Sequence, residues 1–95
     1  MEDLEELKYK EARRKELTDI GTVLANASGR RLVWRILEKC GTFSSTFNKD
    51  VTTMSYLSGQ QDLGHFIMSE IVASDENLLF KLMKENKTKE KVDEQ

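Results

Sequence analysis

The chain of 95 residues contains no proline, one cysteine, one histidine and one tryptophan. Each scarcity excludes something. Without proline, no helix carries a break imposed by a missing backbone N–H. A single cysteine makes no internal disulfide, which points to a reducing compartment. One histidine and one cysteine are too few for a zinc site of the usual kind. No apolar run approaches the ~20 residues that span a bilayer. The first sixteen residues include eleven charged side chains, so no secretory leader is expected there. The expected setting is a cytoplasm, or a particle assembled in one.

An excess of one charge sign is lacking too. Fifteen Lys and Arg face seventeen Asp and Glu, a net charge of −2. That balance argues against nucleic-acid binding driven by an overall positive field. The distribution is uneven, however. Residues 2–6 carry four acids, and residues 8–39 carry nine basic residues against four acids. Residues 48–86 reverse the sign, with three lysines against six acids. The one plausible basic surface therefore lies in the first half.

What is present favours helix. Charged residues make up 34% and hydrophobic residues 38% of the chain, with the good helix formers Leu, Lys and Glu dominant. The expected fold class is all-α, a small four-helix domain with helices at about 17–26, 29–40, 51–73 and 76–86. A charged extension, helical or frayed, is expected over 1–16, supported by Glu6–Lys10 and Glu11–Lys15 at i,i+4 spacing. A disordered tail is expected over 87–95.

Leu17, Ile20, Leu24 and Ala27 give the first folded helix its apolar period. The stretch "NASG" ends it, and Asn26, Ser28 and Gly29 are turn and cap residues. In the second helix Leu32, Val33, Ile36, Leu37 and Cys40 form one wide apolar face. Arg31, Arg35, Glu38 and Lys39 share the opposite face, and Trp34 sits on the border. Gly41 stops that helix. Phe43 and Phe47, in the loop that follows, are expected to plug it onto the core. Leu57, Leu63, Gly64, Ile67, Met68 and Ile71 turn one half of the third helix inward. Gly59 and Gly64 suggest close helix packing or a bend. Ser74 or Asp75 caps the fourth helix, with Leu78, Leu79, Leu82 and Met83 inward.

Enzyme templates do not fit, and no catalytic residue is expected. His65 lacks metal-ligand neighbours and is expected to be partly exposed. Cys40 completes an apolar face, where cysteine behaves as a small hydrophobe. "GQQDLG" follows no strand and lacks the Lys-Ser/Thr of a phosphate loop. Asp62 and Glu70 stand eight apart on a helix, which is no acid/base pair.

The basic cluster is the one binding signal. Arg31, Arg35 and Lys39 are successive i,i+4 neighbours forming a positive ridge, with Arg30 one position aside. Arg13 and Arg14 form a second short run. Such a ridge, with Trp34 beside it, suits nucleic-acid phosphates, an acidic protein partner or plain solvent. Two short helices joined by "NASGR" resemble a helix-turn-helix in outline. The second helix, however, faces the core over too much of its circumference for a recognition helix.

"DIGTVLANASGRRLVWRILEKCGTFSSTF", followed by "LSGQQDLGHFIMSEI" and an acid-capped short helix, resembles a family of small helical proteins encoded by tailed bacteriophages. It is the phage domain named after open reading frame nineteen of a Bordetella phage. Asp19, Val23, Leu24, Gly29, Arg30, Arg31, Trp34, Arg35, Leu37, Cys40, Gly41, Phe43, Ser45 and Phe47 carry the likeness in the first block. Gly59, Leu63, Gly64, Glu70 and Ile71 carry it in the second. The likeness covers about 19–85. One departure is Gly59-Gln60-Gln61, where the family tends to repeat Gly-Arg-Arg. The third helix is less positive as a result.

The resemblance implies a phage origin, a helical fold and a place near head and portal genes. The expected function is therefore non-enzymatic protein–protein binding in virion or head assembly. The partner would be another phage protein or a second copy, in the host cytoplasm or the virion. A packaging-linked nucleic-acid accessory and a small effector of a host protein are the alternatives. No cofactor, metal, membrane or small-molecule substrate is expected.

Overall fold

The computed structural model describes residues 3–93, and side chains as far as Lys87. It contains four helices: α1, Leu4–Leu24; α2, Ala27–Lys39; α3, Val51–Ser74; and α4, Glu76–Asp93. No strand occurs among the described residues. The all-α, four-helix class is as expected, while several boundaries differ.

The charged extension and the first folded helix are one element of 21 residues. Asp3 caps it, its carboxylate accepting the Glu6 N–H at 2.8 Å. Glu5 and Glu6 add negative charge where the helix dipole favours it. α1 ends two residues earlier than the spacing suggested, because Asn26 belongs to the next helix. Its side chain accepts the Gly29 N–H at 2.8 Å and caps α2, which begins at Ala27 rather than residue 29. Only Ala25 and Asn26 separate the two helices.

α2 ends as expected, and Gly41 is the reason. It adopts φ of 63°, a left-handed conformation that other residues take only with strain. The Thr42 N–H then reaches the Leu37 carbonyl at 3.2 Å and the Gly41 N–H the Glu38 carbonyl at 3.0 Å. Both bonds satisfy carbonyls the helix end would otherwise leave unpaired.

Asp50 caps α3, accepting from both the N–H and the hydroxyl of Thr53. Those donors hold its carboxyl below the ordinary value of 3.8. Asp75 accepts the Asn77 N–H at the start of α4. Ser74, the other candidate cap, instead donates to the Leu17 carbonyl at 2.8 Å and fastens α3 to α1. α4 runs past residue 86 to Asp93, since "KTKEKVD" holds no helix breaker and several good helix formers. The tail expected over 87–95 is thus helical backbone as far as Asp93. Residues 94 and 95 lie outside the described residues.

α3 packs against each of the other three helices, and α1 also packs on α2. The core is small. Leu24, Leu37, Ile71 and Leu82 are the fully buried large side chains. Ile20, Val33, Trp34, Ile67, Leu78 and Leu79 pack partly buried around Leu24, Ile71 and Leu82. Two glycines permit the close approaches. A Cβ on Gly29 would stand 1.8 Å from the Val23 carbonyl oxygen, and one on Gly64 would stand 2.1 Å from the Thr42 hydroxyl. Gly59 faces open space, so of the two glycines within α3 Gly64 alone serves close packing.

Several expected core positions are exposed. Leu32 is 48%, Ile36 41% and Leu63 54% accessible. Met83 and Phe47 are also exposed. The physical reason is shared by the first three: α2 covers only a short part of α3, and no further element closes over their common side. Phe47 does not plug the loop. Phe43 stacks on Trp34, with ring centroids 5.3 Å apart and planes at 26°.

Candidate functional site

The residues of the basic cluster have separate fates. Arg30 points inward and is 8% accessible. Its guanidinium meets the Glu85 carboxylate at 2.9 and 3.2 Å and donates to the Leu24 carbonyl at 3.0 Å. A buried charge needs such partners. Arg30 therefore joins the end of α1 and the start of α2 to the middle of α4, and it is not part of an outward ridge. Its place on α2 explains the altered helix face. With Arg30, Trp34 and Leu37 turned to the core, Leu32 and Ile36 rotate toward solvent.

Arg13 and Arg14 are likewise engaged within the chain. Arg13 bridges to Glu70 on α3 through two bonds of 2.8 and 2.5 Å. The pairing holds the Glu70 carboxyl below its ordinary value of 4.5 and pushes Arg13 further up. Arg14 pairs with Glu11 one turn away on the same exposed helix side. The hydrogen bonds with Arg14 lower the Glu11 carboxyl as well.

Arg31, Arg35 and Lys39 remain as an exposed stripe along α2. Arg31 donates to the Ser28 hydroxyl at 3.1 Å. Among the described residues no carboxylate is paired with any of the three. On one flank of the stripe Trp34, half buried, and Glu38 lead to Glu85 and Asn86 of α4 around a concavity of about 630 Å³. On the other flank Arg35 and Lys39 border a groove floored by Leu32, Ile36 and Leu63, with Cys40 and Gln60 in its wall. This second groove was not legible in the helical wheel, which turned its three aliphatic residues inward.

The glutamines that replace the expected basic pair have distinct uses. Gln61 donates to the carbonyls of Gly41 and Ser44, at 3.1 and 2.6 Å, and holds the loop after α2 against α3. Gln60 lines the groove. Cys40 is buried, and Thr42 beside it donates to the Leu37 carbonyl at 2.7 Å. His65 is exposed on α3. Among the described residues no three His, Cys, Asp or Glu side chains are grouped to hold a metal ion. No described helix is long and apolar enough to cross a membrane.

The geometry offers a mixed surface, cationic at its rim and aliphatic at its floor. Comparison with known proteins identifies its family. A family model described as a Bbp19-like phage protein matches residues 21–84. The match begins within α1 and runs through α2 and α3 into α4, so it takes in the whole stripe and groove. No curated protein matches, and neither does any solved structure. The chain belongs to the Bbp19-like phage protein family.

Proposed function

For this member of a phage protein family, we propose a non-enzymatic role: binding another phage protein during head or virion assembly. The observation that carries the reading is the α2 stripe of Arg31, Arg35 and Lys39 beside the Leu32–Ile36–Leu63 groove. Protein interfaces combine a desolvated apolar centre with a charged rim, and arginine is enriched at their strongest contacts. Three exposed aliphatic side chains in one groove are otherwise an aggregation liability in a phage-infected cytoplasm. The first turns of α1 extend the surface. Leu4, Leu7 and Tyr9 are 65%, 50% and 74% accessible, among the acids Asp3, Glu5 and Glu6.

Nucleic-acid binding is the less favoured reading. Arg13, Arg14 and Arg30 already have carboxylate partners, and Glu38 and Glu85 line the concavity next to Arg31 and Arg35. Phosphates approaching there would meet two acids.

The test is affinity purification of the tagged chain from infected cells, with mass spectrometry of washed mature particles. The expected result is co-purification with one phage protein at fixed stoichiometry, lost in Arg31→Glu/Arg35→Glu. Retention of low-salt nucleic acid as the sole ligand, with a salt slope that falls by about one unit for each arginine removed, would replace this reading with the second one.

A further inference from the structure

A second concavity of about 470 Å³ lies further along α3 from the groove beside the stripe. Gln60 and Leu63 line the first, and Phe66, Ile67 and Glu70 line the second. These residues follow one another along the same side of α3 at helical spacing. Val33 of α2 and Ile20 and Val23 of α1 complete the second concavity. One apolar strip thus runs across three helices. Val23 is 45% and Phe66 59% accessible, as exposed as Leu32, Ile36 and Leu63.

The charges at the two ends of this strip are opposite. Arg35 and Lys39 rim the end beside Gln60 and Leu63. Glu16 and Asp19 rim the end beside Glu70. Leu63 and Glu70 are ~10 Å apart along the axis at 1.5 Å per residue. Glu70 is held by Arg13, Glu16 makes a longer contact with the same guanidinium, and Asp19 is exposed beside them. Glu16 lies 3.5 Å from Arg13 but is 62% exposed.

A strip that is apolar in the middle, positive at one end and negative at the other is complementary to itself when turned by half a revolution. We propose that this face binds a second copy of the chain across a two-fold axis. Arg35 and Lys39 of each copy meet Glu16 and Asp19 of the other, and the strips of Val23, Leu32, Ile36, Leu63 and Phe66 stack between them. This rests on the groove being a protein-binding surface, as in the reading given above, and gives it to a second copy, so that Arg31 and the start of α1 are left for the other phage protein.

The chain carries more surface than a compact monomer of its size. The chain exposes 7461 Å², against ~5,600 Å² for a compact monomer of its 11.0 kDa mass. Its radius of gyration is 16.8 Å, against ~12 Å for a compact chain of this length. Part of the excess belongs to the projecting start of α1. A standard interface needs only ~800 Å² from each partner. Because the arrangement is isologous, it closes at two copies and leaves the start of α1 available for another protein.

The experiment is sedimentation equilibrium of the full chain and of charge-reversed variants, each shown helical by circular dichroism. All four reversed side chains are exposed, and the circular dichroism control reads whether loss of the Glu16–Arg13 contact disturbs α1. The wild-type chain is expected to form a dimer and nothing larger. Glu16→Lys/Asp19→Lys and Arg35→Glu/Lys39→Glu are each expected to weaken it by about tenfold or more. Mixing the two variants restores a heterodimer, and one chain carrying all four reversals restores the homodimer. A monomeric wild-type chain, growth beyond two copies, or a dimer untouched by reversal would each overturn the proposal. If a monomer still captures a phage protein through its stripe, only the self-association fails. If the dimer forms and no phage protein is captured, only the assembly reading fails.

Discussion

Arg13 of α1 and Glu70 of α3 meet in a two-pronged contact across 57 positions of the chain. The pair secures the charged first half of α1 to the domain. Without it the nearest fastening of α1 to α3 is the Ser74–Leu17 hydrogen bond, one turn further on. Arg13, offered by the sequence as part of a short basic binding run, and Glu70, read there only as no member of an acid/base pair, are one structural tie. Arg13 thereby becomes part of the fold, while Arg14 stays on the exposed side with Glu11.

That tie sets a pH dependence. The guanidinium holds the Glu70 carboxyl below its ordinary value of 4.5. A carboxyl whose folded value is lowered stabilises the fold above its unfolded value, and the contribution is lost as pH falls through the lowered one. Thermal melting of wild type and Glu70→Gln should therefore differ near neutrality, and the gap should close as pH falls below 4.5 and through the lowered value. A gap independent of pH would assign the loss to packing.

Arg30 and Glu85 should be unequal members of their pair. Arg30 has a side chain 10% accessible, while Glu85 is 38% accessible. Removing Arg30 also leaves the Leu24 carbonyl without its 3.0 Å donor. Arg30→Ala is expected to cost about 2 kcal/mol in urea unfolding, through lost hydrogen bonds and packing. Glu85→Gln is expected to cost under about 1 kcal/mol, because water reaches that side of the pair. Equal losses would contradict the placement of Arg30 in the interior.

Two glycine substitutions should have opposite signs. Gly29→Ala places a methyl group against the Val23 backbone, so α2 must move from α1, at a cost of about 2 kcal/mol. Gly59→Ala meets nothing within 4 Å and should stabilise α3 by up to about 1 kcal/mol, the helix-propensity difference. Urea midpoints of the two variants check both directions at once.

Much of the fold was legible because it is local. The turn at "NASG", the stop at Gly41 and the restart at "SDEN" each follow from caps and backbone preferences within four residues. Periodicity also placed Leu24, Leu37, Ile71 and Leu82 in the core. The candidate site was legible only in part. Arg31, Arg35 and Lys39 lie on one exposed stripe as spacing alone requires. The partners of Arg13 and Arg30 were not readable, since Glu70 and Glu85 are more than fifty residues away. The groove was missed for a related reason. A helical wheel marks Leu32, Ile36 and Leu63 as apolar but cannot say whether another element covers them.

The helical class, the places where helices start and stop, and the kinship with a phage family through its first block are all readable along the chain. These rest on hydrogen bonds and side-chain contacts between near neighbours. Which arginines are internal ties and which stay outside, and which apolar faces remain uncovered, emerges from the packing of the helices. Those outcomes depend on how α2 and α4 cross α1 and α3. That crossing is set by close approaches at Gly29 and Gly64 and by ion pairs between distant segments.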